Sequence, residues 1–408
     1  MVQLVRAGVG VRTVARRFSV STSTVTFWVE RARGQRLDRV DWQGRRPGRA
    51  WNRLNTGQER RIVRLRQRLR HSALGEFGAG AIRAQLQRSS KPVPCERTIH
   101  RVLQRHGVLD GARRQRRAAP PKGWYLPAVA RGAAELDCFD FIEALKIAAG
   151  PLVDVLTAKS LHGQLVDAWV LEHASAQAAV DCLLRRWRRD GLPAYAQFDN
   201  DTIFQGAHQF ADTVGRVSRL CLALGVTPVF VPPLEHGMQN GIEGFNALWQ
   251  AKVWQRYRVA DVDELRRRSA RYIAAHRARH AAHGIAQRRL VPPRFRLNLQ
   301  APLRGCLLYI RRTDEHGAVN LLGHHWLVSI AWAHRLVRCE VDFDRHRIRC
   351  FGLRRAAPVQ QPLLATFVYE RVDKPFQGVT ASAKQAAVAH AFRSAGGAAP
   401  RTPRKSHG

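Results

Sequence analysis

Between residues 135 and 257 the chain switches between two hydrophobic periods in an order that leaves few folds open. ELDCFDF, PLVDVLTA and GQLVDAWVLE read as three successive apolar strands, parted by Gly, Pro or Ser. SAQAAVDCLLRRWRRDG then reads as a helix, with Ser175 as cap, Ala179, Val180, Leu183 and Trp187 as apolar stripe and Gly191 as stop. AYAQFD reads as a strand, QGAHQFADTVGRVSRLCLALG as mostly helix, VTPVFV as a strand and NGIEGFNALWQAKVWQRY as a helix. The order β-β-β-α-β-α-β-α predicts an α/β domain with a mixed sheet, antiparallel at first and extended by helical crossovers. Ligand chemistry in such a sheet is expected at the carboxyl ends of its strands.

Acids stand at those ends. Asp199 closes a strand in QFDNDTIFQG, Asp137 lies in the first strand, and Glu243 falls in the first turn of its helix. On that helix Ile242, Phe245 and Trp249 face the core, while Glu243, Asn246 and Gln250 are rotated away from it. Alternation with period two puts Asp137 and Asp140 on opposite faces, so both can hardly serve one site, and Asp137 is the expected member. Gathered carboxylates repel one another unless cations lie between them, and Mg²⁺ takes oxygen ligands while keeping positions open for phosphate and water. Two such ions suit in-line displacement at phosphorus, and Mn²⁺ can substitute. These acids are set in a chain with 68 Lys and Arg against 31 Asp and Glu, a net charge of +37, for which a polyanion is the expected partner.

Taken together, ELDC at 135 to 138, FDNDTIF at 198 to 204 and PPLEHGMQNGIEGFN at 232 to 246 resemble the motifs of insertion-sequence transposases of the DDE type. These belong to the retroviral integrase superfamily with its ribonuclease H-like fold, and the resemblance spans roughly residues 10 to 355. It implies Asp137, Asp199 and Glu243 as catalytic, metal-binding acids. It also implies cleavage at transposon ends and joining of the freed 3′-hydroxyl to target DNA, usually by a homo-oligomer holding two ends. Two departures stand out: Asp201 occupies a place where the family usually has Gly, and 43 residues separate Asp199 from Glu243, several more than usual. Asp201 either assists metal binding or caps a turn, and His236 reads as a loop residue.

Ahead of this core lie two helical units. VRTVARRFSVSTSTVTFWVERAR at 11 to 33 reads as helix, tight turn, helix, with Val14, Ala15 and Phe18 on one apolar face and Ser19 where such turns usually carry Gly. Ser21 or Thr22 can cap the second helix, leaving Thr22, Ser23, Thr24 and Thr26 near its start, with Arg31 further along, as candidate DNA-reading residues. NTGQERRIVRLRQRL opens a second unit with a capping-box pattern, Thr56 and Glu59, and PCERTIHRVLQRHGVL presents Thr98, His100, Arg101 and Arg105 outward. Either unit read alone is also an ordinary helical hairpin with a charged face; two in tandem favour DNA binding.

After the core, the segment from Cys306 to Leu353 alternates like strands, with Val337, Cys339, Val341 and Phe343 on one face, and is expected to form a small β-barrel whose arginines contact DNA. The expected division is 1–36 helix-turn-helix, 37–54 linker, 55–112 second helix-turn-helix, 113–130 basic linker, 131–295 catalytic core, 300–372 barrel and 376–408 basic, disordered tail. Seven cysteines without a CxxC pair suit buried thiols in a reducing compartment and argue against a zinc site. The longest nearly apolar run, 220 to 234, is too short to span a bilayer and holds three prolines, and the N-terminus lacks a secretory pattern. A cytoplasmic, nucleoid-associated protein without membrane contact is expected. The rival function is a DNA-binding regulator derived from a transposase with an inert core, and a nuclease that cuts without joining is a further enzymatic alternative.

Overall fold

A computed structural model of the chain describes residues 1–40, 54–88, 92–110, 122–148, 150–206, 210–232, 235, 237–280, 288–371 and 376. Most of the first expected linker, half of the second, nearly all of the expected tail, and His236 lie outside the described residues.

Helices α1 (Val2–Arg6), α2 (Val11–Arg17) and α3 (Thr22–Arg31) pack around Val14, Ala15 and Val25. Ser19, in the turn between α2 and α3, has φ of 53°, the left-handed region in which Gly is at ease, so the turn keeps the geometry without the residue. Ser21 is the cap: its hydroxyl accepts from the Thr24 N–H at 3.2 Å. Phe18, expected inside, is 46% exposed.

A second unit comprises α4 (Thr56–Arg70), α5 (Ala79–Gln87) and α6 (Glu96–Arg105), closed around Ile62, Leu65, Ile82, Leu86, Ile99, Val102 and Leu103. Its capping box sits one residue earlier than the sequence pattern suggests. Asn55 Oδ1 accepts from Gln58 N–H at 2.8 Å, and Gln58 Oε1 accepts from Asn55 N–H at 3.0 Å. Glu59 is thereby released from the cap and turns inward, where it is buried.

The core begins with the short α7 (Pro127–Ala130), then β1 (Leu136–Lys146), β2 (Leu152–Ser160), β3 (Val166–Leu171), α8 (Ala176–Asp190) and β4 (Tyr195–Phe198). There follow α9 (Thr202–Gln205), α10 (Arg216–Ala223), β5 (Thr227–Phe230), α11 (Asn240–Trp249), which continues into a π-turn over Gln250–Trp254, and α12 (Val262–His280). The alternation of strands and helices is as the periodicities predict. The long helix expected after β4 is instead broken into α9 and α10. The chain ends in β6 (Cys306–Arg312), β7 (Ala318–Leu321), β8 (His324–Leu327), β9 (Leu336–Asp342), β10 (Arg347–Gly352) and β11 (Leu363–Val368).

One sheet runs through both the core and the C-terminal strands, in the order β11-β10-β9-β6-β5-β4-β1-β2-β3. β1, β2 and β3 are antiparallel, whereas β1, β4, β5 and β6 are parallel neighbours. This corrects the expectation of a separate barrel. β5 would otherwise leave its outer edge unpaired, and β6 closes it by placing Leu308 and Tyr309 opposite Val229 and Phe230. β9, β10 and β11 then extend the sheet antiparallel, while β7 and β8 form a separate hairpin.

Helices cover both faces. α8 and α10 pack on the side that buries Phe139, Trp187, Phe198 and Phe230, and α11 and α12 on the side that buries Leu136, Cys138, Val229, Ile242, Phe245 and Trp249. Along β1, odd residues therefore meet α8 and even residues meet α11.

Candidate active site

That alternation decides where the acids of β1 go. Asp137 faces α8 and is fully buried. Its Oδ2 accepts from Arg186 Nε at 3.0 Å and from the Trp187 indole at 3.3 Å, and its Oδ1 accepts from Ser160 Oγ at 2.7 Å and Arg288 Nη2 at 2.5 Å. Burial alone would raise its pKa, but the Arg186 and Arg288 guanidinium groups hold the carboxyl well below the usual range. The network extends through Asp167, which accepts from Arg186 and Arg277, and Asp190, which accepts from Arg277 at 2.8 Å. Asp137 is thus spent on an internal ion network and is not brought to Asp199 or Glu243, contrary to the expectation from sequence.

Asp140 is brought there instead. β1 and β4 run parallel with Cys138 opposite Gln197, so two residues further Asp140 is level with Asp199 and both point to the α11 face. α11 supplies Glu243 in its first turn and, three residues on, Asn246, whose Nδ2 donates to Asp140 Oδ2 at 2.7 Å. Thr157 on β2 donates to Asn246 Oδ1 at 2.6 Å and orients the amide. Burial, then the charges of Asp199 and Glu243, push the Asp140 pKa up to about 7. Asp199 is raised as well, by burial first and by Asp201 and the exposed Glu143 beside it. Among the described residues, none of Asp140, Asp199 and Glu243 has an Arg, Lys or His ion-pair partner.

Asp201 has a local role. Its Oδ1 accepts from Ile203 N–H at 2.6 Å and caps α9, and its own N–H donates to Asp199 Oδ1 at 3.0 Å. This is the turn-capping alternative raised by the sequence.

Among the described residues no group of three or more His, Cys, Asp and Glu side chains is placed so that it could hold a metal ion. The donor set nevertheless fits a divalent cation by its chemistry: oxygen ligands only, mutually repelling, and without a protein cation to neutralise them. The sequence missed Asn246 as a partner for Asp140, although its place one helical turn after Glu243 was the available signal.

The candidate DNA-reading residues divide similarly. Thr22, Ser23 and Thr26 are exposed on α3, Thr24 is half-buried with its hydroxyl 2.8 Å from Ser21 Oγ, and Arg31 lies against the Phe27 and Trp28 rings. His100 and Arg101 are exposed on α6, and the half-buried Thr98 has its hydroxyl 3.3 Å from Cys95 Sγ. Arg105 is exposed as expected, but its guanidinium pairs with the buried Glu59, which also meets His106 at 3.1 Å.

No family model matches the chain. Solved structures similar to it include the catalytic core domain of BIV integrase, at 19% identity and a TM-score of 0.26, covering 38% of this chain and 89% of that one. A chain of the simian T-cell lymphotropic virus intasome, solved in complex with PP2A regulatory subunit B56 gamma, is 12% identical with a TM-score of 0.30, covering 64% and 88%. The catalytic core domain of HTLV-2 integrase, in complex with magnesium, is 10% identical with a TM-score of 0.25, covering 33% and 80%. Retroviral integrase catalytic cores are thus among the structural neighbours, at a distance that carries no argument by itself. No helix among the described residues is long and apolar enough to cross a membrane.

Proposed function

We propose that the chain is a DDE-type DNA transposase whose catalytic acids are Asp140, Asp199 and Glu243. It acts as a multimer on DNA, cutting at element ends and joining the freed 3′-hydroxyl to target DNA. The observation that carries this reading is that Asp140 and Asp199 lie level on the sheet face covered by α11, whose first turn holds Glu243, with no Arg, Lys or His ion-pair partner for any of the three among the described residues, in a protein of net charge +37. These three side chains would hold Mg²⁺ or Mn²⁺, which when bound supplies Lewis-acid stabilisation of the attacking and leaving oxygens at phosphorus.

The protein's own contribution is orientation and DNA capture. Asn246, itself held by Thr157, fixes one oxygen of Asp140. The Asp201 N–H fixes one oxygen of Asp199. Both carboxylates are therefore set in orientation before DNA arrives, which reduces the reorganisation needed at the moment of reaction. The exposed starts of α3 and α6 are the proposed DNA-reading surfaces, with Arg101, His100, Thr22, Ser23 and Thr26 as contacts.

The test is nicking and strand joining on duplexes carrying the element's own ends, with Mg²⁺ or Mn²⁺. Asp140→Asn, Asp199→Asn and Glu243→Gln are each expected to abolish both reactions while DNA binding persists. A folded Asp140→Asn protein that nicks normally removes Asp140 from the site. A parent protein that binds these ends but never nicks them leaves a DNA-binding regulator.

A further inference from the structure

At the carboxyl end of β4, one residue beyond Asp199 and on the α8 and α10 side of the sheet, lies a cavity of about 480 Å³ whose lining includes none of the three carboxylates. It is within the roughly 300 to 1,000 Å³ range of sites that enclose a small organic ligand, and much larger than a phosphate alone requires. Asn200, the neighbour of Asp199, lines one side with Gln205 from the end of α9; Arg311 from β6 and Asn320 and Leu322 from the β7–β8 hairpin line the other. Phe210, 63% exposed, completes the wall with a bare aromatic ring.

Arg311 is the informative residue. It is half-buried, donates from Nη1 to its neighbour's carbonyl, Ile310 O, at 2.9 Å, and reaches Gln205 Oε1 only at 3.5 Å. Its guanidinium lies 4.8 Å from the centre of the Tyr309 ring, and among the described residues no carboxylate is in ion-pair reach. Burial disfavours its charge, so an anion entering the cavity restores what folding removes. The wall thus offers a cation for a phosphate, amides for the edge of a base and an aromatic face for stacking, the set of contacts used to hold an extruded nucleotide.

We infer that this cavity receives one unstacked nucleotide of the DNA strand that passes the Asp140, Asp199 and Glu243 carboxylates. The inference rests on the reading of the chain as a DNA-cutting enzyme and adds a subsite to it. Phe210 stacks on the base, Asn200, Gln205 and Asn320 meet its polar edge, and Arg311 takes the adjoining phosphate. Extruding a base costs stacking and pairing, which these contacts offset.

The experiment uses the full chain and element-end duplexes in which 2-aminopurine is walked through the positions around the cut, in Ca²⁺ so that the strand stays intact. Emission is read at protein concentrations that saturate each variant by anisotropy, and the same duplexes are assayed for nicking in Mg²⁺. A several-fold rise at one position, lost in Phe210→Ala and reduced in Arg311→Gln, supports the cavity. Bound duplexes that are nicked in Mg²⁺ yet show no rise at any position overturn the cavity and leave the proposed function standing. A rise that Phe210→Ala does not change overturns the assignment to this cavity. A rise on duplexes that are never nicked keeps the subsite and removes the nuclease chemistry, and a chain that binds no DNA removes both.

Discussion

Asp137 and Asp140 stand three residues apart on one strand and live in opposite electrostatic worlds. Behind the sheet, Asp137 shares full burial with Arg186 and Arg288, so its charge is neutralised by the protein itself. In front of the sheet, Asp140 feels the charges of Asp199 and Glu243 and bonds to the neutral Asn246, with no Arg, Lys or His ion-pair partner among the described residues. A carboxylate that folding has neutralised serves stability, and one that folding leaves in company with other carboxylates is, on the proposed function, the one free to take a ligand. The same division separates Arg105, paired with Glu59, from Arg101 one helical turn earlier, which has no ion-pair partner among the described residues, though both are exposed.

The sharpest break of this comparison is an exchange of effects. Asp140→Asn is expected to lower Mg²⁺-dependent nicking by on the order of a thousandfold, about 4 kcal/mol of barrier, with unfolding free energy equal to or above the parent's. Asp137→Asn is expected to do the opposite first, destabilising the fold by about 3 to 5 kcal/mol because two buried guanidinium groups lose a shared anion. Denaturant unfolding beside a nicking assay measures both. Should Asp137→Asn leave stability untouched, the internal network is not what holds that face.

A second contrast is in pH. Asp140 holds its proton up to about 7 in the fold, whereas an unfolded aspartate releases it near pH 4. Between those values the folded state binds more protons, so its contribution to stability falls as pH rises and the loss is complete above about 7. Asp137, depressed in the fold, contributes stability that is present above about pH 4 and is lost as pH falls below it. The stability advantage of Asp140→Asn over the parent should therefore grow from pH 5 to pH 8. Millimolar Mg²⁺ at pH 8 should restore the parent and not the variant, since an ion that binds only the folded state stabilises it by mass action. Equal responses to Mg²⁺ would remove Asp140 from the proposed metal site.

The charge division in α6 predicts a smaller effect. Arg101→Ala should weaken DNA binding across sequences and flatten the salt dependence by about one unit of slope, as loss of one phosphate contact does. Arg105→Ala should leave that slope in place and lower the unfolding midpoint, because it unpairs the buried Glu59. Matching slopes for the two variants would erase the distinction.

The order of strands and helices was legible because hydrophobic period is a local property, and the places of Asp199 at a strand end and Glu243 in a helix start were legible because such ends are marked by the residues around them. The choice between Asp137 and Asp140 was not. Alternation separates their faces, but which face carries α11 is settled by the crossover connections, and the cations that claim Asp137 come from Arg186 on α8 and from Arg288, distant in sequence. The merger of the C-terminal strands into the core sheet was hidden for the same reason. A strand's alternation reports that one side is buried and does not report which edge it joins, and β6 pairs with β5 across a long interval of chain.

Asp201 is where the comparison makes its smallest and most exposed claim, since it is an acid beside the front-face carboxylates that folding has nonetheless put to local use. Its Oδ1 caps α9 and its backbone N–H holds Asp199, so the amide oxygen of Asn can take over the cap while the backbone bond stays in place. Asp201→Asn should match the parent in stability and in the Mg²⁺ concentration needed for half-maximal nicking. Asp201→Ala should lose about 1 kcal/mol with its cap, with the Mg²⁺ requirement again little changed. If Asp201→Asn keeps its stability yet needs severalfold more Mg²⁺, the residue's charge is in service to the metal, and the front face uses four acids where the proposed function names three.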